Sequence, residues 1–220
     1  MKRFGQLTIP EDLQDVCNAQ RMALLIYDMQ EGITRQIPDA PAIVAKVGTV
    51  LAAARAAGLR VAHTRHMSLP TAWMGSFQFR MAMAWQQTSD PEAVRPWFLR
   101  DTPGFQIVEA LRPRPDEAVF DKLAMSAFEG TPLEFALRDC GLVALATAGI
   151  ALEIGIEPTV RHAADLGIIP VIIADACGAG DDAAARRSLE SLQFAGDAII
   201  TSTDEFCRAL AAGDRSGGNS

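Results

Sequence analysis

Short apolar runs alternate with helical patterns along most of this chain, and this alternation strongly limits the folds it can adopt. The run from Met22 to Tyr27 is continuously apolar and ends at Asp28, which is typical of a strand buried on both faces of a parallel sheet. From Pro41 to Ala57, apolar residues recur at helical spacing, and Gly58 then ends the predicted helix. Further strands are predicted at 59–64, 118–122, 142–150, 168–174 and 198–200.

Strands that alternate with helices of about 10–15 residues predict βαβ units. We therefore expect an α/β fold with three layers, in which helices cover both faces of a mostly parallel six-stranded sheet. In such sheets, ligands bind at the carboxyl ends of the strands. Candidate functional residues are expected just after positions 27, 64, 121, 150 and 175.

The pattern predicts one domain over residues 1–220. It would carry an N-terminal extension over about 1–20 and a flexible polar tail over about 212–220. Residues 67–105 interrupt the alternation and hold all three tryptophans and four of the eight methionines. A long insertion of this kind is often a lid or an interface, although a packed helical excursion fits the spacing as well. We expect a homo-oligomer, a dimer or tetramer whose neighbouring subunits help to close the site.

Composition excludes several classes of protein. Residues are 49% hydrophobic and 21% charged, which is typical of a globular chain and not of a disordered one. The net charge of −7 argues against a nucleic-acid partner. No apolar run is long enough to cross a membrane, and the opening residues lack the apolar core of a signal peptide. Four scattered cysteines without a C-x-x-C pair favour free thiols in a reducing, cytoplasmic compartment.

Asp28 and Lys122 each end a predicted strand, so the fold should bring them to the same edge of the sheet. Burial would disfavour the charged form of Asp28 unless a cation lies nearby, and Lys122 is a candidate for that cation. Such a pair suits proton transfer. A buried structural salt bridge is an equally good interpretation of position alone.

Three ordered blocks resemble the isochorismatase-like hydrolase superfamily: ALLIYDMQ at 23–30, Lys122 followed by SAFEGTPLE at 126–134, and AGIALEIGIEPTVRHAADLG at 148–167, which leads into VIIADACGA. The resemblance covers roughly residues 20–200. It implies an isochorismatase-like fold and a site with an Asp, a Lys and, in most branches, a nucleophilic Cys. Asp28 and Lys122 match the first two positions, whereas Gly155 stands at the position of the nucleophile.

Glycine has no nucleophile, and neither Cys140 nor Cys177 is placed to replace one. The isochorismatase branch also has glycine at this position, and there the Asp protonates a substrate vinyl ether without a protein nucleophile. We therefore expect a hydrolase of a small molecule that uses Asp28 as general acid/base. One alternative is a relative of the amide, ureide and imide C–N hydrolases that uses activated water or is inactivated at 155. Another is a non-catalytic ligand-binding or assembly protein.

Four residues near these motifs are candidate substrate contacts: Glu153, Arg65, Ile154 and Phe128. Glu153 could serve as a second acid/base, although an acidic pocket would disfavour a dicarboxylate such as isochorismate. Arg65 could clamp a substrate carboxylate, and a surface position is an equally good interpretation.

Two further motifs are weak indications of a ligand. His63 and His66 have no Asp in the same stretch of sequence, so we expect no metal. Residues 178–183 formally match G-x-G-x-x-A, but Asp181 and Asp182 stand where a pyrophosphate would need free amides, so a turn and a helix N-cap are expected and no cofactor.

Overall fold

The structure, a computed structural model, describes residues 1–216. Within them the strands are β1 (Lys2–Phe4), β2 (Leu7–Ile9), β3 (Met22–Tyr27), β4 (Arg60–His66), β5 (Ala118–Lys122), β6 (Ala144–Ile150), β7 (Ile169–Gly178) and β8 (Ile199–Thr201). The α-helices are α1 (Leu13–Val16), α2 (Glu31–Thr34), α3 (Ala40–Ala56), α4 (Ser76–Trp85), α5 (Leu133–Asp139), α6 (Glu157–Asp165), α7 (Asp182–Ala195) and α8 (Thr203–Ser216). A π-helical turn, Leu152–Ile156, leads directly into α6.

Six of these strands form one parallel sheet in the order β5-β4-β3-β6-β7-β8. The buried strand β3 lies between β4 and β6, with Ile26 opposite His63 and Tyr27 opposite Gly149. The carboxyl ends of β3, β4, β5 and β6 therefore meet at one edge. This arrangement confirms the predicted α/β fold with a parallel six-stranded sheet.

Alternate residues of β3 point to the two faces of the sheet and enter two separate apolar cores. Leu24 and Ile26 pack with residues of α3 and α8, whereas Leu25 packs with residues of α5, α6 and α7. Helices thus cover both faces and give the three layers that the alternation of elements predicts.

Several segments differ from the sequence-based expectations. The N-terminal residues form an exposed hairpin, β1–β2, followed by α1, although no periodic pattern marks them. Helix α8 continues through residues 212–216 of the predicted tail, and 217–220 lie outside the described residues. The insertion at 67–105 contains α4 and three short 3-10 turns, Thr71–Trp73, Pro91–Ala93 and Pro103–Phe105. No helix within residues 1–216 is both long and apolar enough to cross a membrane.

Candidate active site

Asp28 and Lys122 form a buried ion pair at the carboxyl edge of the sheet. Asp28 directly follows β3, and Lys122 is the last residue of β5, with β4 between the two strands. The Lys122 Nζ donates to Asp28 Oδ2 at 2.7 Å, and the two residues are 1% and 3% exposed. The structure therefore brings together the two residues that the sequence places at strand ends.

Thr64, on the intervening strand β4, completes the environment of the Asp28 carboxylate. Its hydroxyl donates to Asp28 Oδ1 at 2.6 Å, and the Asp28 N–H lies 3.2 Å from the same hydroxyl oxygen. Both Asp28 oxygens thus accept hydrogen bonds, which is the pattern of an ionised carboxylate. Sequence reasoning missed Thr64, and its position at the end of a strand next to β3 was the available signal.

Tyr27 is a second residue that sequence reasoning missed, because it reads as the last member of an apolar run. Its side chain is buried, and the Lys122 Nζ lies 4.3 Å from the centre of its ring. The Tyr27 hydroxyl donates to the backbone oxygen of Met125. Burial, with a smaller contribution from Asp28, raises the pKa of Tyr27 well above its ordinary value, so the phenol stays protonated.

A cavity of about 330 Å³ opens beside this pair of charges. Asp28, Tyr27, Ile154 and Gly155 are among the residues that line it, and aromatic residues of the insertion close one side. Among the described residues the lining is mainly apolar and contains no Lys or Arg: Tyr27, Asp28, Ile33, Gln36, Ile37, His66, Trp85, Trp97, Phe98, Met125, Ile150, Ala151, Ile154, Gly155 and Gly180. Such a cavity suits a small molecule whose orientation is set by a few polar groups.

The two histidines of β4 have different surroundings. His66 lines the cavity, and Gln30 holds its backbone through hydrogen bonds at 2.6 and 3.0 Å. Burial, and to a smaller extent Lys122, lowers the pKa of His66 to about 4, so its ring is neutral near pH 7. His63 is fully buried, and its Nε2 lies 3.2 Å from Glu117 Oε2. Within residues 1–216, no three His, Cys, Asp or Glu residues cluster as metal ligands would.

Of the four predicted substrate contacts, Ile154 lines the cavity, and the structure does not bring the other three to it. The Arg65 Nε donates to Asp121 at 2.7 Å, and its guanidinium lies over the ring of Phe105. Phe128 is buried against His162.

Glu153 is held at a different loop. Its Oε1 accepts hydrogen bonds from the N–H groups of Gly180 and Asp181, at 2.8 and 3.0 Å. This carboxylate therefore fastens the loop between β7 and α7. Asp181 in turn caps α7 by accepting from the Ala184 N–H at 2.7 Å, which confirms the predicted turn and N-cap.

Within the part of the chain that the structure describes, no cysteine lines this cavity. Cys177, on β7, donates to the backbone oxygen of Ile173 at 3.3 Å. Burial raises the pKa of its thiol to about 12, and burial likewise raises the pKa of Cys17 to about 12. Neither thiol is therefore activated as a nucleophile.

Comparison with known proteins places this arrangement in a family. Residues 22–205 match the model of the isochorismatase domain. The chain is 27% identical to the ureidoacrylate amidohydrolase RutB of Serratia proteamaculans (strain 568), over 94% of this chain and 90% of the relative. A similar protein of the same name from Enterobacter sp. (strain 638) is also 27% identical, over 87% of this chain and 90% of the relative.

Solved structures agree with the fold. A cysteine hydrolase from Pseudomonas syringae pv. phaseolicola 1448A has a TM-score of 0.76 and 23% identity, over 96% of this chain and all of that one. The N-carbamoylsarcosine amidase of Thermoplasma acidophilum has a TM-score of 0.70 and 21% identity, over 84% of this chain and 97% of that one. The match over residues 22–205 shows that the chain belongs to the isochorismatase family, and with its amidohydrolase relatives it shows that the protein is a hydrolase.

Proposed function

We propose that this protein hydrolyses a small molecule by general acid/base catalysis at Asp28, without a cysteine nucleophile. The observation that carries the proposal is the Asp28 carboxylate, which lines the cavity while Lys122 and Thr64 hold its two oxygens. Gly155 lines the same cavity. By the resemblance of the motifs, it stands where most branches of the superfamily have their nucleophilic cysteine. Water is then the nucleophile.

In the proposed reaction, Asp28 accepts a proton from a water molecule as the water oxygen bonds to the substrate carbon. The bond to the leaving group breaks, and Asp28 returns the proton to the leaving atom. Lys122 is not among the described residues that line the cavity, so its role is to hold and orient the carboxylate. A base that is already fixed and oriented lowers the activation free energy, because little ordering is needed to reach the transition state.

The bond that is cleaved is proposed to be a C–N bond of an amide or ureide. Similarity to two ureidoacrylate amidohydrolases supports this choice. A vinyl ether, the substrate class of the isochorismatase branch, is the second candidate. The cavity favours the first because its lining, within residues 1–216, contains Asp28 but no Lys or Arg to bind the two carboxylates of isochorismate.

The same proposal includes the organisation of the chain. Residues 1–220 form one domain, and the insertion at 67–105 acts as a lid, which is supported by Trp85, Trp97 and Phe98 in the cavity wall. The protein is proposed to be a cytoplasmic homo-oligomer. Its partner in the site is a small molecule, with no nucleic acid and no membrane involved.

The test is a panel of ureides, amides, imides and vinyl ethers assayed with the wild type and with Asp28→Asn. We expect Asp28→Asn to lower kcat/KM by about 100-fold or more, because the amide cannot accept the proton. Asp121→Asn is the matched control: Asp121 also lies on a strand at this edge but pairs with Arg65 outside the cavity, and its loss should leave kcat/KM within a few-fold.

Unchanged turnover by Asp28→Asn would refute the assignment of the base. If the wild type binds a compound of the panel but turns none over, the protein is a ligand-binding relative instead. Turnover of vinyl ethers alone would reject the C–N bond and keep the role of Asp28.

A further inference from the structure

Gly155 has no room for any side chain, and the obstacle is Tyr27. A Cβ built on Gly155 would lie 2.6 Å from Tyr27 Cε1 and still closer to Cζ and the hydroxyl oxygen, where real Cβ atoms are not found. The backbone of Gly155 does not have the positive φ that favours glycine. Glycine is therefore required at 155 by the neighbouring phenol and not by the turn that contains it.

Tyr27 is held in this position from several sides. It is 2% exposed, its hydroxyl donates to the Met125 oxygen, and the Lys122 ammonium lies against its ring. The backbone of Tyr27 is also closely packed, because Gly149 of the neighbouring strand β6 lies directly against it. Gly149 has a φ of +137°, and a Cβ on this residue would lie 2.8 Å from Tyr27 N. A side chain at 155 therefore cannot displace the phenol without breaking contacts made by Lys122, the partner of Asp28.

We propose that Tyr27 closes position 155 of the active site: its phenol fills the volume that a residue at 155 would occupy, and Tyr27 and Gly155 form a matched pair. Tyr27 thereby excludes a protein nucleophile at 155. This inference rests on the proposed function for its meaning in catalysis, but its geometry is tested without any substrate.

A double-mutant cycle tests the pairing. Gly155→Cys should lower the Tm by about 5 °C or more, because the added atoms overlap a buried ring. Tyr27→Leu removes the hydroxyl oxygen and the ring atoms nearest to Gly155. Adding Gly155→Cys to Tyr27→Leu should then change the Tm by less than about 2 °C, so the two substitutions are not additive.

Gly155→Ala serves as a second probe of the same space, and it replaces the cysteine variant if that protein does not fold. An equal loss of Tm with and without Tyr27→Leu, for either substitution, would overturn the proposal. So would a Gly155→Ala protein as stable as the wild type.

Thiol chemistry supplies a readout that simple destabilisation would not produce. In Tyr27→Leu/Gly155→Cys, the new thiol lies in the turn just before α6. It faces the space left by the Tyr27 ring, whose centre is 4.3 Å from the Lys122 ammonium, and a cation and a helix N-terminus at this place both stabilise a thiolate. We expect iodoacetamide to alkylate this introduced thiol about 10-fold faster than the exposed Cys140 at pH 6.5, as measured by mass spectrometry of the peptides. Reaction no faster than that of Cys140 would show that position 155 does not face the charged pair.

These outcomes separate the inference from the proposed function. The double-mutant cycle measures stability and the alkylation experiment measures thiol reactivity, so both can be interpreted whether or not a substrate is found. Conversely, unchanged turnover by Asp28→Asn would refute the catalytic role of Asp28 and leave the pairing of Tyr27 with Gly155 intact.

Discussion

At the scale of single residues, the site is built from charges that are almost fully removed from water. Taking an ion pair out of water is costly, and such a pair persists only when each charge has hydrogen-bond partners. Asp28 has Lys122 and Thr64, and Lys122 also donates to the Ala124 oxygen at 3.2 Å. The charge on each residue is therefore tolerated only because the other is present.

Lys122→Met should destabilise the fold by about 3–5 kcal/mol, because it leaves the Asp28 carboxylate buried without its cation. Urea unfolding at pH 7 measures the loss. The double variant Asp28→Asn/Lys122→Met should recover part of it, since neither charge then remains. If the double variant loses the sum of the two single effects, the charges do not depend on each other and this account of the pair is wrong.

At the scale of elements, a second buried cluster ties α3 and β4 to the start of β5, away from the cavity. Arg55 of α3 donates twice to the Glu117 carboxylate, at 2.6 and 2.8 Å, and His63 of β4 lies against the same carboxylate. Burial alone would raise the pKa of Glu117. Hydrogen bonds from Arg55, the Arg114 N–H and His63 outweigh burial and lower that pKa to about 2.

This cluster predicts a loss of stability in acid. Because the pKa of Glu117 is lower in the folded than in the unfolded protein, its contribution is complete above about pH 4.5 and disappears as the pH falls towards 2. The contribution of Glu117 to the free energy of unfolding is on the order of 3 kcal/mol. Urea unfolding from pH 7 to 2.5 should show the free energy of unfolding of the wild type falling to that of Glu117→Gln.

Glu134→Gln is the control, because Glu134 is in an exposed pair with Arg138. Its free energy of unfolding should differ little from that of the wild type at any pH. A constant difference between wild type and Glu117→Gln would contradict the prediction.

At the scale of the whole molecule, the insertion at 67–105 presents large apolar side chains to solvent beside the cavity. Trp73 and Phe77 are 77% and 72% exposed, and Trp85 and Trp97 are each about two-fifths exposed. Several large apolar side chains exposed within one insertion are typical of a contact with another protein. It supports the proposed homo-oligomer, in which this surface would be covered by another copy.

Light scattering should therefore give a mass that is a multiple of the single chain. Trp73→Ser/Phe77→Ser should shift the protein towards the monomer, because the substitutions remove apolar area from the proposed contact. Phe194→Ser is the matched control: Phe194 is 94% exposed on α7, and its loss should leave the mass unchanged. A wild type that is monomeric at micromolar concentration would refute the proposal.

The sequence by itself determined the six strands of the parallel sheet, the long helices between them and the placement of Asp28 and Lys122 at strand ends, although not the β1–β2 hairpin. These features are local, since apolar runs, helical spacing and stop residues act over a few neighbouring positions. The two residues lie 94 positions apart, yet both mark where a buried strand ends.

Only the tertiary structure decided which side chains meet. Thr64 contacts Asp28 because β4 lies next to β3 in the sheet. Tyr27 fills the space at Gly155 because β6, which leads into the turn with Gly155, lies on the other side of β3. Arg65 and Glu153, polar residues near the same edge, found other partners in Asp121 and in the loop at Gly180. A polar side chain pairs with the group that the packing of helices and strands brings within hydrogen-bond distance. The distance between residues far apart in the sequence cannot be predicted from the pattern of neighbouring residues.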